Sequence, residues 1–261
     1  MVIPEGKQVY FLSDFHLGAP DFTSSLEREK LIVNFLHRAK EDAAVIFLVG
    51  DLFDFWYEYR QVVPKGYVRL LGKLAELSDA GIQMYLFVGN HDMWMKDYFQ
   101  KELNITVYFE PKEFEFNTKK FLIGHGDGLG PGDHGYKALK KVFRNPISQF
   151  LFGILPPYIG IGLANFFSRK SRQSTGQNEE HFYGEANEWL ITYCKEQLLL
   201  KHYDFLIFGH RHLPIDFSLG NGSRYINLGD WIRYYTYAKF DGNELTLQSI
   251  QTALESKIVR S

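Results

Sequence analysis

Short apolar runs alternate with stretches of helical periodicity along the 261-residue chain. Residues 9–12, 45–49, 84–88, 121–123, 205–208 and 225–227 are mostly apolar on both sides, the pattern of strands buried between layers. Between the early strands, Ser24 or Ser25 is placed to cap a helix carrying Leu31, Ile32, Phe35 and Leu36. A second helix lines up Val68, Leu71, Leu74 and Leu77 and stops near Gly81. Towards the C-terminus, residues 235–240 and 245–250 flank Asp241-Gly242-Asn243 and read as a hairpin. The pattern predicts an α/β domain of mixed sheets with helices outside.

Residues 128–180 break the alternation: no clean strand falls there, and Gly, Pro, Phe and Lys/Arg are frequent. The segment reads as an insertion into one domain spanning residues 1–261. Lys137, Lys140, Lys141, Arg144, Arg169, Lys170 and Arg172 fall within it, and no Asp or Glu lies between residues 137 and 172. Phe143, Phe150, Phe152, Tyr158, Phe166 and Phe167 are interleaved with these cations. Such a greasy, cationic patch suits an anionic amphiphile or an anionic membrane surface, and a solvated helical face is the blander reading. Interleaving with Phe and Ile argues against nucleic acid as the partner.

The chemistry sits at strand ends. Five of the runs lead directly into Ser13-Asp14-Phe15-His16, Gly50-Asp51-Leu52-Phe53-Asp54, Gly89-Asn90-His91-Asp92, Gly124-His125-Gly126-Asp127 and Gly209-His210-Arg211-His212. Ligands of α/β sheets gather beyond the carboxyl ends of strands, so five such clusters at one edge make one site. Asp14 and His16, like His210 and His212, are two apart, which on an extended strand puts both side chains on one side. Imidazole, carboxylate and amide oxygen together suit Mn, Fe or Zn, and the missing thiolates argue against a structural zinc or iron–sulfur site. Asp14, His16, Asp51, Asn90, His125, His210 and His212 are too many for one ion and about right for two sharing a carboxylate. Each motif alone has a bland reading as a turn or strand end, but five together at equivalent positions do not. His37 and His202 read as bystanders, and His134 and His181 lie at the two ends of the insertion.

Composition narrows the setting. The net charge of −2 points to no particular partner, and the single cysteine, Cys194, reads as a core residue in a reducing compartment. The N-terminus lacks a signal-peptide pattern. The apolar stretch 150–167 is broken by Pro156 and Pro157 and makes a poor membrane span. The expected location is therefore the cytoplasm, with a peripheral contact to the inner face of the membrane left open.

In order and spacing these five blocks resemble the signature of the calcineurin-like metallophosphoesterases, which implies a sandwich of two mixed β-sheets flanked by helices. The resemblance implies Asp14, His16, Asp51 and His212 around one ion and Asp51, Asn90, His125 and His210 around the other. It also implies His91 at the leaving oxygen. Asp92 reads equally as a carboxylate that orients an imidazole or as one that belongs to a turn or helix start. Within that superfamily the blocks Ser13–Gly18, Gly50–Trp56 and His125-Gly126-Asp127, with Asp133 and Tyr136 after them, are most similar to UDP-2,3-diacylglucosamine pyrophosphohydrolases. That resemblance implies a nucleotide-linked acylated sugar as substrate, two Mn²⁺ ions (Fe²⁺ or Zn²⁺ as alternatives) and a helical lid over residues 128–180. It also implies substrate contacts from Asn90, His91, Asp133, Tyr136, Ser171, Arg172 and His210. His91 departs from the best-known branch, which has Arg there. Phosphomonoesters, cyclic nucleotides and nucleic acid are the alternative substrates, and a non-catalytic scaffold, like the retromer subunit of the same fold, is the alternative class.

Overall fold

A computed structural model describes residues 1–132, 134–175 and 181–260; side chains at 165, 169–175 and 253 are outside the description. The first sheet is built from β1 (Gln8–Leu12), β2 (Ala43–Val49), β3 (Gln83–Phe87) and β4 (Thr106–Tyr108), all parallel, with helices α1 (Phe22–Ala39), α2 (Val68–Asp79) and α3 (Tyr98–Leu103) in the crossovers. The second sheet contains β5 (Lys112–Phe116), β6 (Lys119–Ile123), β7 (Phe205–Phe208), β8 (Pro214–Gly220) and β9 (Ser223–Leu228). Three helices, α4 (His134–Arg144), α5 (Pro146–Ile154) and α6 (Pro157–Thr175), then α7 (Trp189–Leu200), separate β6 from β7. The predicted hairpin, β10 (Thr236–Phe240) with β11 (Leu245–Ser249), closes the first sheet against β1, and β12 (Val259–Arg260) edges the second. The strand orders are β11-β10-β1-β2-β3-β4 and β12-β8-β9-β7-β6-β5.

The inner faces bury Phe11, Val45, Phe47 and Phe87 against Phe116, Phe121, Ile207 and Ile226. Phe11 stacks on Phe121 across the gap with ring centroids 6.0 Å apart. Because strand side chains alternate, the other faces of β1, β2 and β3 pack Tyr10, Leu12, Ile46, Leu48 and Leu86 under α1 and α2. The other face of the second sheet packs Leu206, Phe208 and Tyr225 under α7, where Cys194 is buried and burial pushes its thiol up. That both faces of each central strand are covered explains their unbroken apolar runs. The result is the expected two-sheet sandwich with flanking helices.

Local details depart from the sequence reading. The cap of α1 is Asp21, whose carboxylate accepts the Ser24 N–H at 2.9 Å, while the Ser25 hydroxyl accepts the Gly18 N–H at 2.7 Å. Leu31 is exposed. In α2 the buried residues are Leu70, Leu74 and Leu77, and Val68 is 72% exposed. Steps of three drift around a helix, so Val68 lies about 180° from Leu77. The first turn of α2 is capped from another helix: Glu29, in α1, accepts the N–H groups of Arg69 and Leu70 at 2.9 and 3.0 Å. The described residues of 128–180 carry three helices, α5 starting at Pro146 behind its Asn145 cap and α6 starting at Pro157.

Candidate metal centre

Parallel β1, β2 and β3 in one sheet and parallel β6 and β7 in the other deliver their carboxyl ends to one edge of the sandwich. The loops beyond are laced together there. Asp14 N–H donates to Gly50 O at 3.0 Å, His16 N–H to Asp51 O at 2.9 Å and Gly209 N–H to His125 O at 2.9 Å. Asp14, His16, Asp51, His210 and His212 all have left-handed backbones, with φ of 55°, 44°, 53°, 67° and 57°. The two-residue spacings therefore do not work by strand alternation, as the sequence suggested. Chain β1 has ended at Leu12, and successive left-handed turns swing both side chains inward. Such conformations are uncommon for non-glycine residues and persist where surroundings over-determine them.

The predicted residues meet in two groups that share Asp51: Asp14, His16, Asp51 and His212, and Asp51, His125 and His210. In the first, His212 Nε2 lies 3.2 Å from Asp14 Oδ1 and 3.0 Å from His16 Nε2. In the second, Asn90 Oδ1 lies 3.1 Å from His125 Nε2 and 2.8 Å from His210 Nδ1. Each aspartate commits one oxygen to the backbone: Asp14 Oδ2 accepts His210 N–H at 3.1 Å, and Asp51 Oδ1 accepts His91 N–H at 2.8 Å. The other oxygens, Asp14 Oδ1 and Asp51 Oδ2, are buried with no hydrogen-bond partner among the described residues. A buried, unsatisfied carboxylate oxygen is costly unless a cation meets it. Asp51 Oδ2 lies 3.3 Å from His125 Nε2 and 3.7 Å from His16 Nε2, between the two groups. This donor set fits a pair of divalent ions sharing one carboxylate.

Electrostatics agree. Burial works against ionisation of Asp14 and Asp51, yet His16 and His212 hold the first, and His125 with His91 and His16 the second, below the usual carboxylate range. Burial also works against a charged His125, but Asp51, Asp14 and Asp127 outweigh it and push the imidazole up to about 10. Burial pulls His210 down to about 4. Protons thus balance the carboxylates, and an arriving cation takes over that role by displacing them.

Close approach is bought with glycine. A Cβ at Gly89 would run into the Asp51 carboxylate, and one at Gly50 into the His125 ring.

His91 sits beside the first group, its ring centroid 4.8 Å from that of His16 and its Nδ1 3.1 Å from the Asp54 carbonyl. Asp92 does not orient an imidazole: fully buried, its carboxylate accepts the N–H groups of Gly89 and Leu52, both at 2.8 Å, and so ties two of the loops together. Tyr136 is brought in through Asp127, to which its hydroxyl donates at 2.7 Å, and its ring centroid is 6.4 Å from that of His210. Asp133 lies outside the described residues, as do the side chains of Ser171 and Arg172 on α6.

Several contributors were missed. Asp54 groups with His16 and His91, a role its place in Gly-Asp-x-x-Asp signals. Ser168, on α6, places its hydroxyl 3.1 Å from His91 Nδ1, and no local pattern announces it. Arg28, buried in α1, donates to the carbonyls of Phe15 and His16, both at 2.7 Å, and to that of Ala19. Three of the cations assigned to the basic patch have partners on the chain: Lys137 donates to Gly130 O, Lys140 pairs with Asp127 at 2.6 Å, and Arg144 pairs at the surface with Glu110. Among the described side chains of the insertion, Lys141 is exposed together with Ile147, Phe150, Leu151, Ile154, Tyr158 and Phe166.

Known proteins fall in with this geometry. A UDP-2,3-diacylglucosamine hydrolase from Porphyromonas gingivalis is 41% identical over 257 residues, covering 94% of this chain and 98% of that one. Another so named, from Ectopseudomonas mendocina, is 30% identical over 241 residues, covering 90% and 94%. A solved dimetal phosphatase from Danio rerio aligns over 94% of this chain and 96% of that one at 13% identity with a TM-score of 0.47, too loosely to add weight. The calcineurin-like phosphoesterase pattern matches residues 7–214, from the start of β1 through the last histidine pair. This chain is a hydrolase that uses divalent metal, and it belongs to the calcineurin-like phosphoesterase family.

Proposed function

We propose that the enzyme hydrolyses the pyrophosphate of UDP-2,3-diacylglucosamine to UMP and 2,3-diacylglucosamine 1-phosphate. The observation that carries this is the 41% identity to a hydrolase of that name over nearly the whole of both chains. Asp14, His16, Asp51 and His212 would hold one ion, and Asp51, Asn90, His125 and His210 the other; this donor set accepts Mn²⁺, Fe²⁺ and Zn²⁺ alike, and the choice of Mn²⁺ rests on the family resemblance. When bound, two such ions polarise phosphoryl oxygens and bring the pKa of water towards neutrality. The chain's own residues do the rest. The carbonyl of Asp54 can only accept, so it keeps a proton on His91 Nδ1. Burial and neighbouring imidazoles pull that ring down to about 4, leaving it neutral. An anionic phosphate raises its proton affinity, so His91 would take up a second proton from solvent on Nε2 and, as an imidazolium, donate it to the leaving oxygen.

Residues 128–180 act in this reading as a lid within the single 1–261 domain, with Tyr136, Asp133, Ser171 and Arg172 on the substrate. Among the described residues no helix is long and apolar enough to cross a membrane. The exposed apolar residues of α5 and α6 favour lying against the inner face of the cytoplasmic membrane instead, where an acylated substrate resides. The test is incubation with Mn²⁺ and UDP-2,3-diacylglucosamine, beside a phosphomonoester, a cyclic nucleotide and DNA. UMP release from the lipid is expected. Turnover of another substrate without UMP release from the lipid overturns the assignment.

A further inference from the structure

Arg211 stands between the two imidazoles of the loop after β7, and it does not point where they point. Its guanidinium is buried. Nε donates to Glu188 Oε2 at 3.1 Å, Nη2 donates to the His181 carbonyl at 2.6 Å, and the group lies over the Trp189 ring, 5.7 Å from its centroid. His181, Glu188 and Trp189 belong to the return of the chain from the inserted helices, and Glu188 is itself buried at the start of α7. Trp189 also closes on the outgoing root of the insertion, since a Cβ at Gly130 would stand 2.7 Å from its carbonyl oxygen. On the other side the Trp189 ring is 6.5 Å from that of His210.

His210 and His212, on either side of Arg211, both have left-handed φ. Two such residues in one three-residue turn need an outside hold to stay as they are. The Arg211 N–H donates to Gly209 O at 2.8 Å, and among the described residues its side chain is held by Glu188, the His181 carbonyl and the Trp189 ring. We propose that Arg211 is a positioning residue that transmits the seating of the insertion's return segment to His210 and His212. Ion affinity and the placement of residues 181–189 are then one equilibrium rather than two. This rests on the metal reading of the site given above.

The test uses the full chain, stripped of metal, with Mn²⁺ alone as probe and free Mn²⁺ followed by its electron paramagnetic resonance signal. Arg211→Lys keeps the charge but cannot reach Glu188 and the His181 carbonyl together. It is expected to bind Mn²⁺ about tenfold more weakly, the lower end of what losing a group that orients a ligand costs. Amide exchange over 181–189 should rise in the same variant and be partly reversed by Mn²⁺, while exchange in α1 and α2 stays as in the parent; a general loss of stability would raise exchange throughout. Arg211→Met/Glu188→Leu removes the buried pair without stranding either charge and serves if the lysine variant does not fold. A folded variant that binds Mn²⁺ as tightly as the parent overturns the inference while leaving the metal site standing. A parent chain that takes up no Mn²⁺ overturns both.

Discussion

Replacing Gly89 with alanine tests the close packing of the centre with a single methyl group. Gly89 is outside the left-handed region, so alanine fits its backbone. The obstacle is space: the new Cβ would stand 2.6 Å from the Asp51 backbone nitrogen and closer still to Asp51 Oδ1. Neither the strand end nor the carboxylate can stay, and relief requires the loop after β3 to move by about 1 Å relative to Asp51, since packed interiors do not absorb such overlap. Overpacking of this kind destabilises by about 1–3 kcal/mol. A displacement of about 1 Å in a positioned group costs on the order of 10²-fold in rate. Gly89→Ala should therefore lose about 100-fold in UMP release per unit of folded enzyme, with a lower thermal midpoint. Gly72→Ala is the matched control: it lies inside α2, where a Cβ meets nothing within 4 Å. Helix propensity there predicts a gain of about 0.5–1 kcal/mol and unchanged turnover. Full activity in Gly89→Ala would refute the packing argument.

Arg28→Met strands the carbonyls of Phe15, His16 and Ala19, and with hydrogen bonds to a charged donor at about 1.5–3 kcal/mol each, urea unfolding should show a loss of at least about 3 kcal/mol. Mn²⁺ affinity should fall with it, because the His16 carbonyl is one of the three. Glu29→Ala removes the borrowed cap of α2 and should cost about 1 kcal/mol by the same method, with turnover unchanged because Glu29 touches no residue of the centre.

How much of this was legible in the sequence depends on the distance over which the information is written. The strands were legible because both of their faces are buried and the apolar runs are local. The ligand blocks were legible because each strand end carries its own polar cluster next to glycine. The way Asp14 and His16 reach one point was not, since spacing suggests strand alternation whereas successive left-handed turns do the work. Val68 misled because a helix face cannot be read from steps of three alone, and Ser24 because the nearer acceptor, Asp21, was stronger. The edge strands β4 and β5, and β8 next to the edge, escaped because half-exposed segments such as Lys112–Phe116 lack an apolar run. Ser168, Arg28 and Arg211 act through contacts 77, 12 and 30 residues away, and only the folded chain brings those partners together.

The most direct measurement is metal stoichiometry by equilibrium dialysis of the stripped protein against Mn²⁺, in the parent and in Asp51→Ala. Asp51 alone belongs to both groups of ligands. The account predicts two ions per parent chain and loss of tight binding at both sites in the variant. A parent that binds a single ion, or a folded Asp51→Ala that still binds two tightly, would contradict it.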